Sequence, residues 1–400
     1  MARVIVIGGG AAGLAAAIEA AGQGDETVLL ERMERVGKKL LATGNGRCNL
    51  MNTGAWRYPG GGDYAAETLS RCGAEEQRRF WEGLGLRLRQ EADGRVYPAS
   101  GQASTVLDVL RLAMERRRVT VHTGATVEEL RPCRGGFAVK TGDRRLTAER
   151  VILAGGGCAQ PKLGSDGSCY GLLKALGHTV TAPTPCLTPI LTETGPLRGL
   201  AGIRVKCQVQ AEDGGRVLHR ESGEALFTDY GLSGVCVMQC ARWAREGGSL
   251  TLNLLPALGL PDGEALRETL LVRRREWREQ PLEQLLTGLC VPRLAAGLCA
   301  AAGITWKNRV VASMTDKECS ALVGTVSGWR LRVRGVKGFD AAQVTMGGAR
   351  PGEFNPASGE SRLIPGLHAA GEVLDVDGDC GGFNLMFAFG SGILAGRNGR

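Results

Sequence analysis

Arg3-Val4-Ile5-Val6-Ile7-Gly8-Gly9-Gly10-Ala11-Ala12-Gly13 is the stretch on which the fold turns. The apolar run 3–7 predicts a strand, the glycines a tight turn, and the alanine-rich segment 11–22 a helix. A second strand, Thr27 to Glu31, follows, so the opening is a βαβ unit. The spacing Gly8-x-Gly10-x-x-Gly13 falls between strand and helix, the context in which it binds a dinucleotide. Gly8 permits the turn, Gly10 lets backbone approach a pyrophosphate, and Gly13 lets helix and strand pack closely. The helix N-terminus, with Ala11 and Ala12, offers free amides and partial positive charge to the phosphates. Glu31 ends the second strand, where a carboxylate can accept from the ribose hydroxyls, which argues against a 2′-phosphate. Arg32 beside it, and Thr126-Val127 further on, join the candidate cofactor-binding set.

Outward from this unit, a helix is expected over 104–117, then a strand at Val119–His122. Short alternating segments near 126–131, 137–141 and 145–153 read as an antiparallel excursion that returns to a buried strand, Val151–Ala154. After about residue 185 the character changes. Segments around 203–210, 216–220 and 224–227 alternate like half-buried strands and suggest a small sheet or barrel. Residues 261–302 read as helical, with Pro261, Pro281 and Pro292 near helix starts. Strand-like, glycine-rich sequence resumes from Gly335, and a small-residue helix is expected from about Asn384 to Ala395. The order implies a cofactor domain made of 1–185 and 336–400, with an inserted β-rich lobe at 186–255 and a mainly helical lobe at 256–335.

Composition narrows the class. The 61 glycines among 400 residues are roughly twice the usual ~7% share and cluster in motifs, which suits a chain wrapped around a cofactor. No apolar run reaches the ~18 residues of a membrane span, and the first strand begins at Arg3, so the cytoplasm is the expected location. The thirteen cysteines are scattered without CxxC spacing, Cys236 and Cys240 coming nearest, so free thiols are expected and no metal site. Cys48 has no CxxxxC partner, which argues against a dithiol mechanism. The net charge of +8 is dispersed, and its densest runs, 116–118 and 273–275, read as helix surfaces. That favours attraction of an anionic cofactor or substrate over nucleic-acid binding. His178 is expected at a helix end, where a cation suits the dipole.

Three further segments carry a resemblance. Gly37-Lys38-Lys39-Leu40-Leu41-Ala42-Thr43-Gly44-Asn45-Gly46-Arg47-Cys48-Asn49 resembles the GxKxxxTGxGRCN signature of the YhiN/BaiN-like (aminoacetone-oxidase-type) flavoproteins. Gly94–Pro98 with Gln102-Ala103-Ser104 is similar to that family's next block. Gly371-Glu372 through Gly378, followed by Gly381-Gly382-Phe383-Asn384-Leu385, resembles its C-terminal signature, and Ala154-Gly155-Gly156 the strand end shared with wider flavoprotein groups. The resemblance implies an α/β fold with a Rossmann-like FAD-binding domain of glutathione-reductase type, formed by both chain ends around β-rich and helical lobes. It implies FAD as cofactor. Thr43, Gly44, Asn45, Arg47, Cys48 and Asn49 would then lie beside the isoalloxazine, Glu372 near the ribityl chain, and the helix after Gly382 at the N1/O2 edge.

The chain departs from the family at two blocks. TH(F/Y)G(I/L)SGP reads here Thr228-Asp229-Tyr230-Gly231-Leu232-Ser233-Gly234-Val235, with aspartate in the histidine's place. The TMESK-like segment reads Ala357-Ser358-Gly359-Glu360-Ser361-Arg362. Lys39, Arg47 and Asn49 are the candidates for the ring environment, Lys39 and Arg47 as cations able to stabilise developing negative charge; a purely structural clamp is the competing role for Arg47. Asp229 and Tyr230 are the acid–base candidates. No second GxGxxG marks a nicotinamide domain, so NAD(P)H would dock transiently. The expected activity is FAD-dependent, NAD(P)H-linked reduction of a conjugated C=C in a hydrophobic, steroid-like molecule. An oxygen-using amine oxidase and a flavin-containing RNA-modifying or RNA-binding protein are the alternatives.

Overall fold

The computed structural model describes residues 2–398. Its contacts divide into two units: one built from the chain up to Pro185 and from Ala342 on, the other spanning Cys186–Ala341.

The first unit is organised by a five-stranded parallel sheet. β1 (Arg3–Ile7) lies at its centre, flanked by β2 (Glu26–Leu30) and by Arg150–Leu153; Thr120–His122 and Leu367–Ala369 form the edges. Strand residues alternate in direction, and in β1 both faces are covered. Val4 and Val6 enter one apolar cluster, Ile5 and Ile7 another. This is the burial on both sides that a parallel sheet needs. Helix α1 (Ala11–Gly22) fills the first of these faces and packs against the helix Phe383–Arg397. A β-carbon at Gly392 would stand 2.3 Å from the carbonyl oxygen of Ala12, and one at Gly396 2.5 Å from that of Ala16. Small residues therefore set the approach of these two helices. The excursion between Thr120–His122 and Arg150–Leu153 is a three-stranded antiparallel sheet, Val127–Cys133, Gly136–Thr141 and Arg144–Ala148.

The second unit holds a closed six-stranded barrel, in the order Ile190–Thr192, Gly231–Ser233, Arg216–Phe227, Arg204–Asp213, Ser249–Asn253, Trp329–Val336. Its helices Gly263–Glu276, Pro292–Ala301 and Asp316–Ser327 lie in sequence between the last two of these strands. The division at 255/256 is not how the chain packs. Leu266, Leu294, Leu298 and Leu322 from the helices share one buried cluster with Leu250, Leu252 and Leu331 from the barrel. The segments 216–220 and 224–227 are likewise one strand, Arg216–Phe227. Gly223, between those segments, sits opposite Cys207 with the β-carbon of Cys236 3.2 Å from where its own would be. Among the described residues no helix is long and apolar enough to cross a membrane.

Candidate functional site

The turn after β1 is held from several directions. Gly8 has φ +107°, and a β-carbon there would lie 2.5 Å from the oxygen of Ala154; one on Gly13 would lie 1.8 Å from the oxygen of Gly8. Only glycine lets the turn, α1 and the end of Arg150–Leu153 meet this closely. Gly155 is pressed in the same way, with the sulfur of Cys169 2.2 Å from a β-carbon position. Gly10, in contrast, would direct a β-carbon into open space, and no side chain caps α1. The first amides of the helix, Ala11 to Gly13, are thus left for a ligand, with the positive end of the helix behind them.

Glu31 is almost fully buried and fixed by two backbone donors. The Gly9 amide donates to Oε2 at 2.6 Å and the Met33 amide to Oε1 at 2.7 Å. Its carboxylate therefore ties the glycine turn to the end of β2, and its remaining lone pairs can accept from a ribose. The Ala125 amide donates to the Glu31 carbonyl at 2.8 Å, which brings Thr126 and Val127 beside the same strand end. Arg32 pairs with Asp166.

The 37–49 loop meets the C-terminal signature. Residues 40–46 form a distorted 3-10 turn in which Gly44 and Asn45 take left-handed backbone, and Cys48 does so again at φ 57°. Thr43 Oγ1 donates to the Leu40 carbonyl at 2.7 Å and braces the turn. Asn49 is buried beneath it, its Oδ1 lacking a hydrogen-bond partner and lying 2.7 Å from where a Gly382 β-carbon would be. Gly382 is the left-handed cap of the 383–397 helix, which also has no side-chain cap. A second open helix N-terminus and an orphaned buried amide oxygen therefore stand side by side, more than 330 residues apart in sequence. Asn384 is used differently from the other residues of its motif. Its amide nitrogen donates to the Gly378 carbonyl at 2.8 Å and its oxygen accepts from the Gly378 amide at 2.8 Å, closing the preceding loop.

The cations expected at the ring are both engaged. Lys39 donates to Glu372 Oε2 at 2.9 Å, and Glu372 Oε1 accepts the Thr345 amide at 2.7 Å. Arg47 donates to Glu91 Oε1 at 2.5 Å and stacks over the Tyr97 ring, 4.0 Å from its centroid. The hydrogen bond to Glu91 raises the Arg47 pKa. The guanidinium thus clamps the loop onto strand Arg95–Pro98. Cys48 is fully buried, and burial pushes its thiol up to about 12, so it stays protonated and unreactive. The thirteen cysteines are free, and no group of three or more His, Cys, Asp or Glu among the described residues could hold a metal.

Thr345, Asn52 and Ser391 were not indicated by any motif. The Thr345 hydroxyl accepts the amides of Cys158 and Ala159 at 2.8 and 3.0 Å. Asn52 Nδ2 donates to the Gly381 carbonyl at 2.9 Å, and Ser391 Oγ accepts the Gly371 amide at 2.9 Å. Each joins segments remote in sequence, so no local spacing could have revealed it. His178 lies at the end of the helix Ser168–Ala175, its amide donating to the Leu173 carbonyl at 3.0 Å. It is buried and stacked on Phe354, bonded through Nδ1 to Glu353 at 2.9 Å and through Nε2 to Ser361 at 3.0 Å. In the second unit, Asp229 is exposed in the turn after Phe227, and Lys337 Nζ lies 3.6 Å from the centroid of the Tyr230 ring.

A βαβ turn with an open helix N-terminus, an acid at the end of β2 and a second open N-terminus beside an unpaired amide fits an extended dinucleotide carrying a flavin. The chain is an FAD-dependent oxidoreductase with a Rossmann-type FAD-binding domain. It belongs to the HI0933-like family, matching the description "HI0933-like protein Rossmann domain" over residues 2–398. It is 37% identical to a 3-dehydro-bile acid Δ4,6-reductase of Clostridium scindens, over 99% of this chain and 98% of the relative. It is 29% identical to a ribosomal RNA dihydrouridine synthase of Escherichia coli, over 97% of this chain and 95% of that protein. Among solved structures, the open conformation of a flavocytochrome c3 fumarate reductase matches with a TM-score of 0.49 and 18% identity, covering 100% of this chain and 78% of that one.

Proposed function

We propose that this enzyme uses NAD(P)H to saturate a conjugated C=C bond in a hydrophobic, steroid-like ketone. The observation that carries the reading is the 37% identity, over nearly the whole of both chains, to the bile acid Δ4,6-reductase. Bound FAD would supply the redox chemistry, carrying the reducing equivalents of a nicotinamide to the substrate.

The chain's own residues bind and orient. The α1 amides hold the pyrophosphate, Glu31 the adenosine ribose, and Arg32 with Thr126-Val127 the adenosine surroundings. The Ala154–Gly156 corner lines the phosphate side. Gly371-Glu372 and Lys39 position the ribityl chain, the Lys39–Glu372 pair holding both side chains in one arrangement. Thr43 to Asn49 and Gly381 to Leu385 would bracket the ring, and the helix N-terminus would favour negative charge there. Arg47 acts through the loop it clamps. Asp229 and Tyr230 are proposed as the acid–base residues for the proton that accompanies hydride addition.

A second reading takes ribosomal RNA as substrate and is favoured by the E. coli relative. Dihydrouridine is uridine with a ring double bond saturated beside a carbonyl, so both named relatives perform one type of reduction on different molecules. Stopped-flow mixing of the flavoprotein with NADH or NADPH tests the reading, followed by a conjugated 3-oxo-steroid or an unmodified rRNA fragment. Rapid bleaching followed by reoxidation with the steroid, which gains two hydrogens, is the expected result. Reoxidation by the RNA alone would transfer the assignment to the second reading. Fast reoxidation by oxygen with stoichiometric peroxide, and none by either acceptor, would make the protein an oxidase.

A further inference from the structure

Six tryptophans occur in the chain, and Trp56 alone among them is exposed, with 43% of its surface accessible. In the same unit Trp81 is fully buried against Phe80 and Phe389. An exposed indole offers a large apolar face that a flat partner can cover. The loop that carries it, between Asn52 and the helix Gly62–Arg71, is not loose. Asn52 donates to the Gly381 carbonyl at 2.9 Å, Arg57 pairs with Asp379 at 2.9 Å, and Tyr58 donates to the Phe383 carbonyl at 2.7 Å. Three successive ties fasten this loop to the segment 379–383, which opens the helix N-terminus assigned above to the flavin ring. Trp56 is thus a rigidly mounted, uncovered aromatic surface on the loop joined to that N-terminus.

We propose that Trp56 is a specificity-determining residue that packs against the flat apolar face of the substrate and selects for a rigid, fused-ring hydrocarbon skeleton. This deepens the reductase reading and rests on it. An indole offers a large rigid surface at little cost in side-chain entropy, and a fused-ring ketone presents a matching flat one. A nucleotide base would also stack on it, but Arg57, next to it in the chain, is paired with Asp379.

The test is equilibrium dialysis of the flavin-loaded protein against a saturated 3-oxo-steroid, a product-like ligand that cannot be reduced. Trp56→Ala is expected to weaken binding about tenfold or more, as removal of an aromatic anchor does. Trp56→Phe should stay within about threefold of the parent, with flavin content unchanged in both variants. If the parent binds the steroid and Trp56→Ala binds it equally well, the inference fails while the reductase reading stands. Binding of the steroid by neither protein overturns both. A change of oligomeric state in Trp56→Ala on size-exclusion chromatography, with steroid affinity intact, would assign the indole to a protein interface and overturn the inference.

Discussion

The two units of the chain hold together in different ways. In the cofactor unit, backbone rests on backbone: Gly13 on Gly8, Gly8 on Ala154, Gly392 on Ala12. Each contact leaves no room for a β-carbon and joins segments up to 380 residues apart (12 and 392). The barrel unit has tight glycines as well: a β-carbon on Gly231 would lie 2.3 Å from the Ile190 carbonyl oxygen and one on Gly234 2.3 Å from that of Glu224. These lie along neighbouring strands, however, and a single cluster of leucines, valines and a few aromatics joins strands to helices. Close backbone approach is written in one residue type and tolerates nothing else. An apolar core is written in a pattern, which many side chains can satisfy. The first kind of region therefore announces its ligand in its sequence, and the second announces only its architecture.

Substitutions that exploit this difference separate the units. Gly13→Val should abolish flavin binding altogether, because its β-carbon cannot coexist with the Gly8 carbonyl; flavin absorbance per mole of purified protein measures it. A variant with full flavin would show that the turn can open, and the contrast between the units would lose its basis. Phe227→Ala removes a fully buried ring beside Trp329 in the barrel. It should cost about 3–5 kcal/mol in chemical denaturation, yet leave native flavin content intact. Loss of flavin in that variant would mean that the two units unfold as one block.

A pH series sharpens the comparison from the cofactor side. His368 is fully buried, donates through Nδ1 to the Ser358 carbonyl at 2.9 Å, and burial lowers its pKa from 6.5 to about 4. Between those values the unfolded chain takes up a proton that the folded chain refuses. Stability is then complete above about pH 6.5 and falls as pH drops toward 4, by roughly 3 kcal/mol at most. His368→Gln should flatten this segment of the urea midpoint against pH; an unchanged slope would place the acid sensitivity elsewhere. The smallest effect is expected from Glu31→Ala, which deletes a carboxylate that accepts two amides. FAD affinity should fall by about tenfold to a hundredfold, the value of roughly 1.5–3 kcal/mol for bonds to a charged group. Fluorimetric titration of the apoprotein reads it, and unaltered affinity would remove Glu31 from the ribose.

Most of the cofactor unit could be read directly. The strand 3–7, helix 11–22 and antiparallel excursion after Val119 follow from local periodicity and agree with Arg3–Ile7, Ala11–Gly22 and the sheet Val127–Ala148. The pairing of the 37–49 loop with 381–385 was accessible only through resemblance, because nothing local connects Asn49 to Gly382. What could not be read is whatever depends on a distant partner. Lys39 reads in sequence as a free cation and Arg47 as either a cation at the ring or a clamp, and each is held by a carboxylate, Glu372 or Glu91, that no spacing rule connects to it. The barrel's last strand, Trp329–Val336, follows a long helical passage, so the pattern suggested two lobes where one core exists.

The central sheet interleaves early and late parts of the chain: Arg3–Ile7 pairs with Arg150–Leu153, which pairs with Leu367–Ala369, and α1 lies against Phe383–Arg397. During synthesis at about 5–20 residues per second, the first strand therefore waits tens of seconds for the segments that shelter its helix. The barrel, whose strands run from Ile190 to Val336, is complete before those segments exist. One side of α1 meets partners made early, β2 and the helix Ala103–Arg116, whereas the side that meets Phe383–Arg397 gains its partner only when the chain is nearly finished.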